Sequence, residues 1–222
     1  MNTPPLPTPA FPGPLLVMGT GAVGGFIGGG LQVAGVEVHY VARPRMRAAL
    51  AAHGLRLSHL DGRDTQLPAS TLHLHEAVPA GLAPALVLLC VKSGATAEAA
   101  RELGDVLPAG TLVLSLQNGL RNAEVAQAAA PGLTVLAGMV PYNIAERGPG
   151  HLHRGTEGRL AAQAHPGLAA WLPEFQQAGL PLKLHEDLQP VQWGKLLLNL
   201  NNPVNALSGL PLRAELLTAR HR

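Results

Sequence analysis

Aromatic side chains are scarce in this 222-residue chain, at 3%, and charged residues make up only 14%. A platform for single-stranded nucleic acid needs aromatics interleaved with basic residues, which this composition does not offer. The arginines are scattered, no polybasic run occurs, and the formal net charge is +2, so no nucleic-acid partner is expected. There is one cysteine, Cys90, and no internal disulfide can form. Its position in an apolar run reads as a buried thiol of a reducing compartment. No lysine or arginine precedes the apolar segment 15–31, and eight glycines fall from Gly19 to Gly35, a pattern that suits neither a signal peptide nor a spanning helix. The expectation is a cytoplasmic protein with no membrane partner. No metal site is expected.

What is abundant is Gly, Ala and Leu, with 47% hydrophobic residues in all. That composition suits an α/β protein with close helix–sheet packing. Residues 1–13 are Pro-rich and aperiodic and read as a disordered leader. The run 15–18 predicts a buried strand, 22–34 a helix and 36–41 a second strand, the size of a βαβ unit. A short helix over 45–53 and a hairpin over 55–74 around Asp61-Gly62 follow. The apolar runs 85–91, 111–116 and 133–140 predict buried strands, with helices at 95–103 and 121–129 between them. This rhythm implies a Rossmann-type, doubly wound parallel sheet. Beyond it, 151–163 predicts antiparallel edge strands, 167–178 a helix, 180–184 a last strand, and 187–207 a longer helix interrupted at Pro203.

The first strand runs into Gly19-Thr20-Gly21-Ala22-Val23-Gly24, a GxGxxG loop that opens a helix. The first glycine makes the turn, the second admits a pyrophosphate to the backbone, and the third lets helix and strand approach, with the helix N-terminus facing the negative charge. An NAD site carries an acidic residue about 20 residues further on. Here Glu37 falls too early on the strand, and Arg43 follows its end, with Arg45 and Arg47 beyond. An arginine fork suits the 2′-phosphate of NADP(H), while a solvated Arg cluster is the plain alternative. Lys92 follows the strand 85–91, and Gln117-Asn118-Gly119 follows 111–116. Both lie where ligands bind in open α/β sheets, although Asn118-Gly119 also fits an ordinary turn.

The segment 193–205 places Lys195 and Asn199 at i, i+4 on one helix face, and Asn202 at i+7 extends it. A lysine embedded among leucines reads as a candidate proton donor. An amphipathic helix with one snorkelling lysine fits the same pattern.

The set GTGAVGG (19–25), VAR (41–43), VK (91–92), LQNGL (116–120), HRGTEG (153–158) and WGKLLLNLNN (193–202) resembles ketopantoate reductase, or 2-dehydropantoate 2-reductase, over residues 14–215. The resemblance implies NADPH-dependent reduction of 2-dehydropantoate, a small 2-oxo acid, to pantoate on the route to pantothenate and coenzyme A. It implies that Gly19, Thr20, Gly21, Ala22, Val23 and Gly24 bind the pyrophosphate. Arg43 and Lys92 then hold the 2′-phosphate end, and Asn118 lies near the nicotinamide ribose. The resemblance makes Lys195 the catalytic acid, in contact with the substrate together with Asn199. A second helical asparagine is expected two turns after the lysine, where this chain has Pro203. Asn205 matches the motif with two residues inserted, and Asn202 has the better helical geometry. Ala95 stands where the family can carry a polar cofactor contact. The resemblance divides the chain into the leader, an NADP-binding domain over 14–185, and the start of a helical substrate domain over 186–222. It places a carboxylate-binding serine and an acid of the family beyond Arg222. A homodimer stays open as the assembly. The alternatives are an NADP-binding fragment impaired in catalysis, a reductase for another 2-oxo acid, and an NAD-linked 3-hydroxy acid dehydrogenase on a similar scaffold, against which Arg43 speaks.

Overall fold

The computed structural model describes residues 12–200, 206, 207 and 209. The chain runs β1 (Leu15–Met18), α1 (Ala22–Val33), β2 (Val38–Val41), α2 (Pro44–His53), β3 (Leu55–His59), β4 (Asp64–Leu67), β5 (His73–His75), β6 (Leu86–Leu89), α3 (Thr96–Val106), β7 (Leu112–Ser115) and α4 (Asn122–Ala129). It continues with β8 (Thr134–Met139), β9 (Ile144–Gly148), β10 (His151–Arg154), β11 (Leu160–Gln163), α5 (Pro166–Ala169), α6 (Leu172–Gln177), β12 (Leu182–His185) and α7 (Gln189–Asn199).

Every residue of β1, β6 and β7 is buried, as continuous apolar runs require. These strands form the middle of an eight-stranded sheet ordered β12-β11-β8-β7-β6-β1-β2-β5. From β5 to β8 all neighbours are parallel. β11 is antiparallel to β8, and β12 is parallel to β11. The winding reverses between β1 and β6, which is where open α/β sheets bind ligands. The doubly wound parallel sheet expected from the strand rhythm is thus present, with two reversed strands added at one edge.

One face packs against α3 and α4 through Val87, Leu89, Ala100, Leu103 and Ala126. The other packs against α1, which also carries a second sheet ordered β4-β3-β10-β9. The glycines of α1 permit this double contact. A Cβ at Gly24 or Gly28 would lie 2.8 or 2.7 Å from Val17 in the main sheet. One at Gly25 or Gly29 would meet Leu152 or Leu55 of the small sheet at 2.8 or 2.7 Å. Each helical glycine costs up to about 1 kcal/mol against alanine. Two sheets packed within one helix diameter offset that cost.

The hairpin around Asp61-Gly62 is present as β3 and β4, but His73–His75 leaves it and pairs with β2 in the main sheet. The expected edge pair 151–163 divides: β10 joins the small sheet and β11 the large one. The helix expected at 167–178 breaks into α5 and α6, with Pro173 in the first turn of the second. Proline favours that position because it has no N–H to leave unpaired. The expected leader lies outside the described residues apart from 12 and 13, as do Pro203 and the stretch from 210 onward. No helix among the described residues is long and apolar enough to cross a membrane.

Candidate active site

The chemistry-bearing residues collect along the carboxyl edge of the main sheet. Arg43 follows β2, the glycine loop follows β1, Lys92 follows β6 and Asn118 follows β7, and these strands are consecutive neighbours.

The three glycines of the loop have three different surroundings. Gly19 has φ +100°, and a Cβ there would lie 2.7 Å from the Val91 nitrogen. Gly24 packs so closely that a Cβ would meet the Gly19 carbonyl oxygen at 2.4 Å. At Gly21 nothing lies within 4 Å of a Cβ, so this glycine faces open space. Thr20 is buried and directs both its N–H and its hydroxyl to the Val41 carbonyl, each at 3.0 Å. That tie fixes the loop to the end of β2. Gly19 and Gly21 also use their N–H groups internally. The N–H groups of Ala22, Val23 and Gly24 have no acceptor among the described residues. Three donors without an acceptor among the described residues, at a helix N-terminus beside a glycine that leaves the approach clear, are of the kind that can receive an anion.

Arg43 stands at the N-terminus of α2, before Pro44. Arg45 pairs with Glu146 at 3.2 Å and Arg47 pairs with Glu76. Of these three arginines, Arg43 alone has no carboxylate partner among the described residues. Glu37 accepts from, or shares a proton with, His39 Nε2 at 2.9 Å. Lys92 is exposed at the end of β6. Cys90 lies beneath the loop, its Sγ-bearing Cβ 3.0 Å from where a Gly24 Cβ would sit. The residue keeps some exposed surface, and desolvation pushes its thiol up to about 12.

Gln117 is a residue whose role sequence reasoning missed. Its amide donates to the Val91 carbonyl at 2.9 Å and to Thr96 Oγ1 at 2.7 Å, while its carbonyl accepts from Ser115 Oγ at 2.9 Å. It ties the ends of β6 and β7 to the start of α3 and so sets the loop that presents Asn118. The backbone of that loop is held by Asn122 and Ser93, which donate to the Asn118 carbonyl at 2.6 and 3.3 Å.

Helix α7 brings the remaining residues over this edge. A small open cleft is lined by Gln117, Asn118, Val140, Gln192, Lys195 and Asn199, among others. Lys195 and Asn199 are half-buried and face the cleft together, as their i, i+4 spacing requires. Lys195 Nζ donates to the Pro141 carbonyl at 3.4 Å. Trp193, Leu197 and Leu198 lie on the exposed face of the same helix. Gln192, one turn before the lysine, is a further cleft residue that the motif reading did not single out. Asn202 and Asn205 lie outside the described residues. Among the described residues no group of three or more His, Cys, Asp or Glu side chains is arranged to hold a metal.

The cleft thus brings a strand-end asparagine together with a half-buried lysine and asparagine of α7, on the sheet edge that also carries the glycine loop. The family model described as ketopantoate reductase PanE/ApbA matches residues 15–167. A 2-dehydropantoate 2-reductase of Halobacterium salinarum is 32% identical over 208 residues, covering 88% of this chain and 65% of that protein. This chain thus spans a little under two thirds of that relative's length. The crystal structure of a PanE/ApbA family ketopantoate reductase from Ralstonia eutropha superposes with a TM-score of 0.82 at 33% identity, covering 92% of this chain and 67% of that one. D-mandelate dehydrogenase, solved with NADH and anilino(oxo)acetate, shares the fold at 19% identity and a TM-score of 0.79. The chain therefore belongs to the ketopantoate reductase PanE/ApbA family of oxidoreductases, whose cofactor is a nucleotide of the NAD(P)H type.

Proposed function

We propose that this chain reduces 2-dehydropantoate (ketopantoate) to pantoate with NADPH, a step toward pantothenate and coenzyme A. The observation that carries this reading is the cleft in which Asn118, Lys195 and Asn199 meet, two strands along the sheet edge from the glycine loop. The open face of Gly21 and the unpaired N–H groups of Ala22, Val23 and Gly24 fit a pyrophosphate. Arg43, which has no carboxylate partner among the described residues, fits the 2′-phosphate that distinguishes NADPH, with Lys92 as a second cation. Asn118 is assigned to the nicotinamide ribose. When bound, a reduced nicotinamide supplies hydride. Residues 14–185 are assigned to this cofactor-binding unit, and α7 opens the substrate-binding one. A reducing cytoplasmic compartment fits the single desolvated thiol of Cys90.

Lys195 is assigned as the general acid. As the ketone carbon is reduced, negative charge develops on its oxygen, and the ammonium stabilises that charge and transfers a proton to it. Asn199 contributes an amide on the same helix face and adds no net charge. It orients the 2-oxo acid so that its carbonyl oxygen meets Nζ. Gln117 holds the floor of the cleft and keeps Asn118 in place.

The test is to incubate the protein with ketopantoate and either NADPH or NADH and follow loss of the reduced nicotinamide. The expected result is turnover with a preference for NADPH. Reduction of a different 2-oxo acid without reduction of ketopantoate would overturn the substrate, and equal use of NADH would overturn the cofactor.

A further inference from the structure

The HRGTEG stretch (153–158) is shared with the family pattern but takes no part in the site described above. We propose that its arginine, Arg154, is a positioning residue for Lys195, acting through the connector 140–143 between β8 and β9. The inference rests on the reading of Lys195 as the acid.

Arg154 is only 9% exposed and has no carboxylate partner among the described residues. Burying an unpaired cation is unfavourable unless other groups replace its water. Here the guanidinium lies 4.3 Å from the centroid of the Tyr142 ring, and its Nε and Nη2 donate to the carbonyls of Thr156 and Gly158 at 3.1 and 3.3 Å. Only a planar fork can stack on a ring and bridge two carbonyls at once.

The loop gathered this way closes on the connector. Thr156 Oγ1 accepts from the Asn143 N–H at 2.9 Å, and the Gly155 N–H donates to the Asn143 carbonyl at 2.9 Å. Gly158, at φ +153°, packs so tightly that a Cβ would lie 2.5 Å from Pro141 Cγ. Arg154 thus grips Tyr142 and the loop, and the loop confines Pro141 from one side. The Pro141 carbonyl is the acceptor that receives Lys195 Nζ. Among the described residues no side chain of α7 is buried, and the Pro141 carbonyl is the acceptor found for Lys195 Nζ.

The experiment uses the intact chain, whose lysines are only Lys92, Lys183 and Lys195, so reductive ¹³C-methylation gives few signals to assign. Arg154→Met, Arg154→Lys and Thr156→Val are compared with the parent for kcat, KM for the 2-oxo acid, NADPH affinity and the Lys195 methyl resonance. Misplacement of an acid by about 1 Å costs on the order of 100-fold in rate, so Arg154→Met is expected to lose about 10- to 100-fold in kcat. NADPH affinity is expected to stay within a few fold while the Lys195 signal moves. Arg154→Lys is not expected to rescue, because an ammonium cannot replace the fork. Thr156 is exposed, so Thr156→Val loosens the connector without removing a buried charge and is expected to keep its melting temperature while losing several-fold in kcat. It decides the question if Arg154→Met does not fold. An unmoved Lys195 signal and full kcat in the folded variants would overturn the proposal. If Lys195→Ala keeps full turnover, the acid assignment fails, whereas the methyl signal still reports whether Arg154 positions the lysine.

Discussion

The ε-ammonium of Lys195 donates to the carbonyl oxygen of Pro141 at 3.4 Å, joining α7 to the connector that leaves β8. This contact sets a cation on a half-exposed helix above the carboxyl edge of a parallel sheet. Asn199 faces the same cleft one turn later, and Asn118 enters it from β7. The position of the Lys195 ammonium is thus defined by backbone from one part of the fold and side chains from another.

Gly21 and Gly24 separate binding from stability. Gly24→Ala places a methyl group 2.4 Å from the Gly19 carbonyl, an overpacking that costs about 1–3 kcal/mol and lowers the melting temperature. Gly21 has φ −89° and open space in front, so Gly21→Ala is expected to keep stability within about 0.5 kcal/mol. Its methyl group would occupy the pyrophosphate approach and weaken NADPH binding by about tenfold or more, which is about 1.4 kcal/mol. Thermal melts and fluorescence titrations separate the two. Unchanged NADPH affinity in Gly21→Ala would remove the phosphate from this loop.

Arg43→Ala tests cofactor choice. A charged hydrogen bond contributes about 1.5–3 kcal/mol, so NADPH affinity is expected to fall about 10- to 100-fold. NADH has no 2′-phosphate and is expected to bind as before. Parallel losses for both cofactors would mean that Arg43 supports the loop and does not read the phosphate.

Stability is expected to fall in mild acid. Burial, with neighbouring His39 and His73, holds the His75 imidazole below its ordinary 6.5. Burial and Arg63 lower His59, and burial and Arg56 lower His151. Below 6.5 the unfolded chain therefore binds more protons than the folded one. Stability present above that value is lost as pH falls through the lower folded values. The melting temperature is expected to drop from about pH 7 to about pH 5, and His75→Gln to make that drop shallower. An identical slope in the variant would show that His75 does not contribute.

The main sheet was legible in the sequence because its strands are buried on both faces and read as continuous apolar runs, such as Leu86–Leu89. The glycine loop was legible because its spacing follows from backbone geometry. The small sheet was not. Its β9, with Glu146 and Arg147 in the middle, has no apolar alternation, and β10 takes β3, about ninety residues earlier, as its parallel partner. His73–His75 is a polar edge strand whose place depends on β2. Lys195 and Asn199 could be paired from their i, i+4 spacing. Gln117 and Arg154 could not be assigned roles, because each acts by joining segments that only the fold makes adjacent.

Lys195→Ala, measured for single-turnover oxidation of NADPH by ketopantoate alongside the NADPH dissociation constant, tests the role of this lysine most directly. Removing a general acid is expected to slow the chemical step by about 10²- to 10⁴-fold and leave NADPH affinity within a few fold. Turnover at the parent rate, or a collapse of NADPH affinity with little change in the chemical step, would contradict the assignment of this lysine as the proton donor.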